Sequence, residues 1–430
     1  MNKDMAAGRF SPGRRSVSIP LLMPSPAQPS SAPSPTPPRI HGLGLIGLGA
    51  VFSTMLTTPV TSLYLGRLGL STVHIGGIIG AMSLALIVSE VLALGASSWM
   101  GRRFAVLASL GGSAIMFSCF PLAGSLAALY ATRLILGAAR GLLWPVLFAE
   151  VAEAGTSTRV TAVFALFWMY FGVGQLLGPA LGGWLGQQVS LTAPFFGAAV
   201  VSLATAAAVG AIRPVRDISP NPLPSYAQLL RRSPTVWRAW LLIVCNTVVF
   251  GVYTTFLPLY AVGRGRTPEE VGLVFTGGGV AFIITQVILH RLPLRVSPER
   301  LLVLSFLARG VGVGITPWLG SFWDLFTVNF FTSILGAAVP PALSTRITDG
   351  APRDNLVAAM GGLNAAADLG FFVGPVLGGV LAGAGVQWAF ALVPAVTLLA
   401  VILLVADPAR PPAKRPSFAT PGGDGRPPSP

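Results

Sequence analysis

The sequence predicts an all-helical, polytopic membrane protein with twelve transmembrane helices in two pseudo-symmetric six-helix bundles. Three observations predict it. Of the 430 residues, 53% are hydrophobic and only 10% charged, against about 25% charged in a soluble domain. The apolar residues gather in runs close to the ~20 residues that cross a ~30 Å bilayer core as a helix. The chain also repeats itself at a shift of 196 residues.

In chain order, residues 1–40 come first, rich in Pro and Ser. They lack the apolar bulk for a core and are expected to be a disordered cytoplasmic tail. Arg14-Arg15 is no export signal, because Pro20, Pro24 and Pro26 interrupt the stretch behind it. Six apolar spans follow, at 42–63, 73–95, 104–124, 126–148, 161–186 and 192–212, making an N-terminal bundle over 41–212. A basic cytoplasmic linker covers 213–237. Six more spans, at 239–260, 271–289, 301–318, 322–344, 357–383 and 387–405, make a C-terminal bundle over 238–406. A second Pro-rich tail, 407–430, closes the chain and is likewise expected to be disordered. In lipid every backbone polar group must be paired within its own segment, so the spans are helices.

The net charge of +14 does not mark a nucleic-acid protein. With the N-terminus in the cytoplasm and each span reversing direction, only Arg67, Arg264 and Arg266 face outward. Arg133, Arg140 and Arg309 fall inside spans, and the other basic residues lie on the cytoplasmic side. That is the positive-inside bias, and it places both termini in the cytoplasm of an inner (plasma) membrane protein. Cys119 and Cys245 lie in apolar spans and form no metal or disulfide pattern. Gly42-x-Gly44-x-x-Gly47 matches a dinucleotide fingerprint in letters alone, since Pro-rich coil and not a strand precedes it.

The repeat pairs Tyr64 with Tyr260, Gly76 with Gly272 and Pro145 with Pro341. It also pairs Gly174, Gly178, Pro179, Gly182 and Gly183 with Gly370, Gly374, Pro375, Gly378 and Gly379, without a gap. Internal repeats of this kind characterise secondary transporters, whose binding site lies between the repeats near mid-depth.

Three local patterns give the chain its family resemblance. The fourth span reads Arg133-x3-Gly137-x3-Gly141-x3-Pro145, with small residues at the spacing that lets helices approach closely. The fifth reads Gly174-x3-Gly178-Pro179-x2-Gly182-Gly183, a kinked and closely packed helix. The loop after the second span ends Gly101-Arg102-Arg103. Over about residues 40–406 the chain thus resembles the major facilitator superfamily. The first pattern is similar to its motif B, in which an intramembrane arginine is implicated in proton transfer. The second is similar to motif C, associated with proton-coupled export, although the family's earlier glycine falls at Ala165. The third is similar to a degenerate motif A, with Ser98 where the family has aspartate. An ordinary positive-inside loop also accounts for Arg102 and Arg103.

Five residues stand out for coupling or the substrate pathway. Arg133 and Arg140, seven residues apart, share nearly one helix face and call for an anionic substrate group or acidic partners. Asp368 lies halfway along the eleventh span. A carboxyl at that depth suits a proton carrier, and the alternative is a structural pair with an arginine such as Arg309. Glu90, in the inner third of the second span, either titrates or pairs near Arg102 and Arg103. Asn329 aligns with Arg133 under the repeat. Trp144 and Trp168 either stack on an aromatic substrate or pack the core.

No converging acid, base and nucleophile are visible, so no catalytic residues, metal site or cofactor are expected. The reading is a secondary transporter working by alternating access in the bilayer as a monomer. Its first form is proton-coupled efflux of a drug-like or metabolic small molecule. The alternatives are uptake by symport or facilitated diffusion, and a nontransporting receptor or membrane-embedded enzyme.

Overall fold

The computed structural model describes residues 37–154, 160–211, 228–231, 233–291, 297–351 and 355–406. The tail predicted over 407–430, residues 1–36 of the first tail, and 212–227 of the linker region lie outside these residues. Residues 37–40 open the first helix instead of ending a tail.

Among the described residues there are fourteen long α-helices, a short helical stretch over 228–231, and no strand. The first seven are α1 (Pro37–Arg67), α2 (Thr72–Met100), α3 (Arg102–Cys119), α4 (Leu126–Gly141), α5 (Leu143–Ala154), α6 (Val160–Gln188) and α7 (Ala193–Ala206). The second seven are α8 (Pro234–Gly263), α9 (Pro268–Arg291), α10 (Pro298–Gly314), α11 (Phe322–Gly336), α12 (Val339–Gly350), α13 (Leu356–Ala382) and α14 (Leu392–Val405). Ten spans are long and apolar enough to cross a membrane, with α4–α5 and α11–α12 each counted as one bent span. Helix α6 and the shorter apolar stretch 193–209 complete an order of twelve. The surface carries exposed Val200, Leu203, Leu398 and Ile402, as expected where the solvent is lipid. The protein is an integral, multi-pass membrane protein.

The sequence repeat is a structural one. Helices α1–α7 recur in order as α8–α14, and the same local chemistry builds both sets. Ser125 caps α4 by accepting the Ala128 N–H at 3.2 Å. Ser321, 196 residues on, caps α11 by accepting the Asp324 N–H at 3.1 Å. Each hydroxyl satisfies a donor the helix start leaves free. Before each cap a short 3₁₀ turn holds a proline, Pro121 or Pro317. The Tyr64 hydroxyl donates to the Pro121 carbonyl at 3.0 Å, and the Tyr260 hydroxyl to the Pro317 carbonyl at 2.9 Å. Within helices, Thr61, Thr247 and Ser202 donate to carbonyls one turn back, so their hydroxyls need no water.

In the first half Tyr64, Phe120 and Phe195 pack ring against ring, with centroids 5.0–5.9 Å apart. In the second, Tyr253 and Tyr260 both set their rings edge-on to Phe390. Since lipid is as apolar as a core side chain, these contacts hold the helices through close packing and not through exclusion of water.

A seam joins α1–α7 to α8–α14. Helix α2 packs on α13, α6 on α9, and α1 on α8. All three contacts are tight at the end that carries the α1–α2 and α8–α9 hairpins. There the Thr72 hydroxyl donates to the Gly379 carbonyl at 2.9 Å, Gly66 faces Leu259, and the Gln188 amide reaches Glu269 at 3.4 Å.

Candidate functional site

The glycine-rich patterns locate the seam. A Cβ on Gly76 of α2 would meet the Pro375 carbonyl and Gly379 of α13. A Cβ on Gly272 of α9 would meet the Pro179 carbonyl and Gly183 of α6. Each copy of the GP-x-x-GG pattern therefore packs against the second helix of the opposite half. Gly174, Gly178 and Gly182 instead face Leu48 to Leu56 of α1, and Gly370, Gly374 and Gly378 face Val244 to Phe256 of α8. Each patterned helix thus binds its own half on one side and the other half on another. Gly137 and Gly141 of α4 lie on Met82, Leu86 and Ser89 of α2, and Pro145 sits in the first turn of α5.

The two intramembrane acids lie on the helices that face each other across this seam. Contacts run from Thr72–Gly379 through Gly76–Pro375 to Gly80–Phe372, an antiparallel register. Continued along α2 and α13, it brings Asp368 and then Glu90 toward the seam beyond Gly80. Both are half-buried. Neither makes an ion pair among the described residues. The pairing of Glu90 with Arg102 or Arg103 is not what the structure shows, nor is a pair between Asp368 and Arg309.

Arg102 has other partners. It is buried and donates to Glu150 at 2.7 Å and to Glu153 at 2.6 Å, both on α5. Arg102 thus starts α3 and is tied to α5 within the first half instead of lying in a loop, while Arg103 is exposed. Gly101 starts α3 with φ of 78°, a left-handed backbone that suits glycine. Glu150 was not singled out from the sequence, because it falls two residues beyond the span drawn over 126–148. Its signal was a pair of acids, Glu150 and Glu153, one helical turn apart just past an apolar run.

Arg133 is 6% exposed. It donates to the Thr61 hydroxyl of α1 at 3.1 Å, approaches the Met82 sulfur at 3.9 Å, and lies 4.3 Å over the Phe120 ring. Its Nε is buried without a partner. Arg140, 4% exposed, donates to the Ala50 carbonyl and to Ser53, also on α1. Neither has a carboxylate partner among the described residues. A charge at mid-helix costs roughly 2.5–3.5 kcal/mol even on the mildest scale. Asn329 holds α11 to α9 by donating to the Val274 carbonyl at 2.6 Å.

Trp144 belongs to a run of rings with Phe148, Trp168 and Phe171, at centroid distances of 4.9–6.2 Å. Phe282 of α9 joins it from the other half, 6.3 Å from Phe171. Trp168 is exposed at the edge of this run. No group of three metal-binding side chains occurs among the described residues.

A sequence model of the family described as Major Facilitator Superfamily matches residues 43–267 and 264–428. The chain is similar to the Quinolone resistance protein NorA of Staphylococcus aureus, at 22% identity over 361 residues. That alignment covers 82% of this chain and 92% of NorA. It is equally similar to Multidrug resistance protein 1 of Bacillus subtilis, 22% identical over 374 residues, covering 85% and 93%. Among solved structures it resembles a bacterial homolog of the human lysosomal transporter Spinster, in an inward-facing, unoccupied conformation. There the TM-score is 0.65 at 15% identity, with 86% of this chain and 95% of the other covered.

Proposed function

Because the chain belongs to the Major Facilitator Superfamily, a family of transporters and not of enzymes, we propose that it exports a drug-like small molecule in exchange for protons. Secondary transport is the function of the family; direction, cargo and coupling ion are the content of the proposal.

One observation carries the proton-coupled form. Glu90 of α2 and Asp368 of α13 come from opposite halves, lie on helices packed together across the seam, and make no ion pair among the described residues. When the halves rock, the distance between the two carboxyls and their access to water change together. Such a pair binds a proton when the seam closes around it and releases one when water enters. The names of the similar resistance proteins support export. The ring cluster from Trp144 to Phe282 supports a planar, aromatic cargo, because it spans both halves and would be remade as they move. Arg133 and Arg140 belong to the same pathway, as cations that favour an electron-rich or anionic group on the cargo.

The charge distribution supports an orientation with both termini in the cytoplasm. The hairpin end, closed here at Thr72–Gly379 and Gly183–Gly272, is then the outer gate. Labelling of single cysteines at positions 70 and 265 by a membrane-impermeant reagent from outside whole cells tests this. Protection of both sites would reverse the orientation.

The function itself is tested with purified protein in vesicles carrying an imposed proton gradient. A planar aromatic dye that bears a carboxylate, such as fluorescein, is expected to accumulate only with the gradient present. Gradient-independent equilibration would favour facilitated diffusion instead.

A further inference from the structure

The second half holds a buried guanidinium in the place where the first half holds one, but supplies it from a different helix. In the first half Arg140 of α4 donates to the Ala50 carbonyl of α1. The residue 196 positions after Arg140 is Gly336, so α11 has no such arginine. Arg309 of α10 takes the place. It donates to Asn246 of α8, the repeat equivalent of Ala50. Its Cδ and Nη1 lie 3.0 Å from where a Cβ on Gly336 would stand. The first-half equivalent of Arg309 is Ser113. A placement that survives transfer between helices points to a need for charge at that spot, against the same turn of α1 and α8.

The two spots differ in what surrounds the charge. Arg140 is tied to two protein acceptors, the Ala50 carbonyl and the Ser53 hydroxyl. The residue seven after Ala50, Thr57, is itself satisfied by the Thr54 carbonyl at 2.9 Å. In the second half that position is Tyr253. It is 4% exposed, its hydroxyl is buried without a partner, and the charge of Arg309 reaches it. Seven residues after Asn246, it stands on nearly the same face of α8. Asn246 uses its carbonyl oxygen on Arg309, which leaves its N–H2 group to donate. The free groups are therefore guanidinium and amide N–H donors and a phenol hydroxyl able to donate, around a cation, Arg309, with no carboxylate partner among the described residues. Buried charges and buried hydroxyls are normally answered by a partner.

From this geometry we infer that Arg309, Asn246 and Tyr253 form an anion-binding site inside the second half. It takes a compact monoanion, either a free halide or the carboxylate of a carried compound. Gly336 keeps room for the guanidinium. At the equivalent spot of the first half Arg140 already has two protein acceptors, so no anion is expected there.

The test is anion binding by the full-length protein purified in detergent, which is independent of the direction of transport. The thermal unfolding midpoint is followed while sodium chloride or sodium benzoate replaces sodium sulfate, a hydrated dianion, at constant ionic strength. The native midpoint is expected to rise saturably with a single-site dependence. Tyr253→Phe is expected to leave the midpoint in sulfate unchanged, since the hydroxyl has no protein partner. It should raise the half-saturating anion concentration at least tenfold. Arg309→Gln should abolish the response. If that variant does not fold, Arg309→Ser combined with Gly336→Arg returns the guanidinium to α11, as in the first half, and should restore the response. A response to chloride alone identifies a free halide; a response to benzoate alone identifies a carboxylate of the cargo. A native midpoint unmoved by both anions, or a Tyr253→Phe response equal to native, overturns the inference.

Discussion

The carbonyl of Pro179 faces Gly272 across the seam between the two halves, so closely that one methyl group on Gly272 would collide with it. Its counterpart, 196 residues on, is the carbonyl of Pro375 against Gly76. The GP-x-x-GG pattern is thus a docking surface used twice, which is why it recurs in both halves. The close approach needs glycine on the receiving helix, where a carbonyl can rest on the Cα hydrogens.

Gly76→Ala or Gly272→Ala is therefore expected to force the seam apart at the hairpin end. Overpacking of this kind costs about 1–3 kcal/mol. The check is accessibility of a cysteine at position 72 to a thiol reagent, which should rise in both variants. Gly111→Ala, where an added methyl meets nothing within 4 Å, should leave it unchanged.

The Arg102–Glu150 pair predicts a different kind of failure. Glu150 is fully buried, while Glu153, the other acid on Arg102, is 38% exposed. Removing Glu150 leaves the buried guanidinium with the exposed Glu153 as its acid, and costs up to about 3–5 kcal/mol, the cost of breaking a buried pair. Glu150→Ala should lower the thermal midpoint and the membrane yield sharply. Glu153→Ala should change both little, since an exposed pair contributes no more than about 1 kcal/mol.

The ring cluster predicts a cargo effect. Phe171 touches Trp144, Trp168 and, from the second half, Phe282. Phe171→Ala should raise the half-saturating concentration of a planar aromatic dye about tenfold, the equivalent of one ring–ring contact of ~1.4 kcal/mol. A non-aromatic cargo should be affected much less. Equal losses for both would make the cluster a packing core.

Much of the fold was legible because lipid permits few solutions. Span length and the basic loops follow from the bilayer, the 196-residue repeat doubles the pattern of one half, and the helices found from α1 to α14 lie where the apolar runs lie. The Tyr64–Pro121 and Tyr260–Pro317 bonds show the repeat continuing into hydrogen bonds, which spacing alone could not reveal. The site was harder to read. Arg102 looked like a loop charge because its partner, Glu150, lies 48 residues away on another helix. Arg309 looked like a partner for Asp368, but it turns toward Asn246 because Gly336 opens that space. Each of these depends on which way a side chain leaves its helix once the helices are packed. A periodic sequence records the face, not the neighbour.

The account turns on Glu90 and Asp368 as the proton-binding pair, and the most direct measurement is dye flux in vesicles with and without a proton gradient. Native protein, Asp368→Asn and Glu90→Gln are compared at equal incorporation. The account predicts that Asp368→Asn loses gradient-driven accumulation while still letting dye equilibrate down its own gradient. Glu90→Gln should retain reduced accumulation, with its pH dependence displaced from native. Full gradient-driven accumulation by Asp368→Asn would contradict the account and leave Asp368 a structural residue.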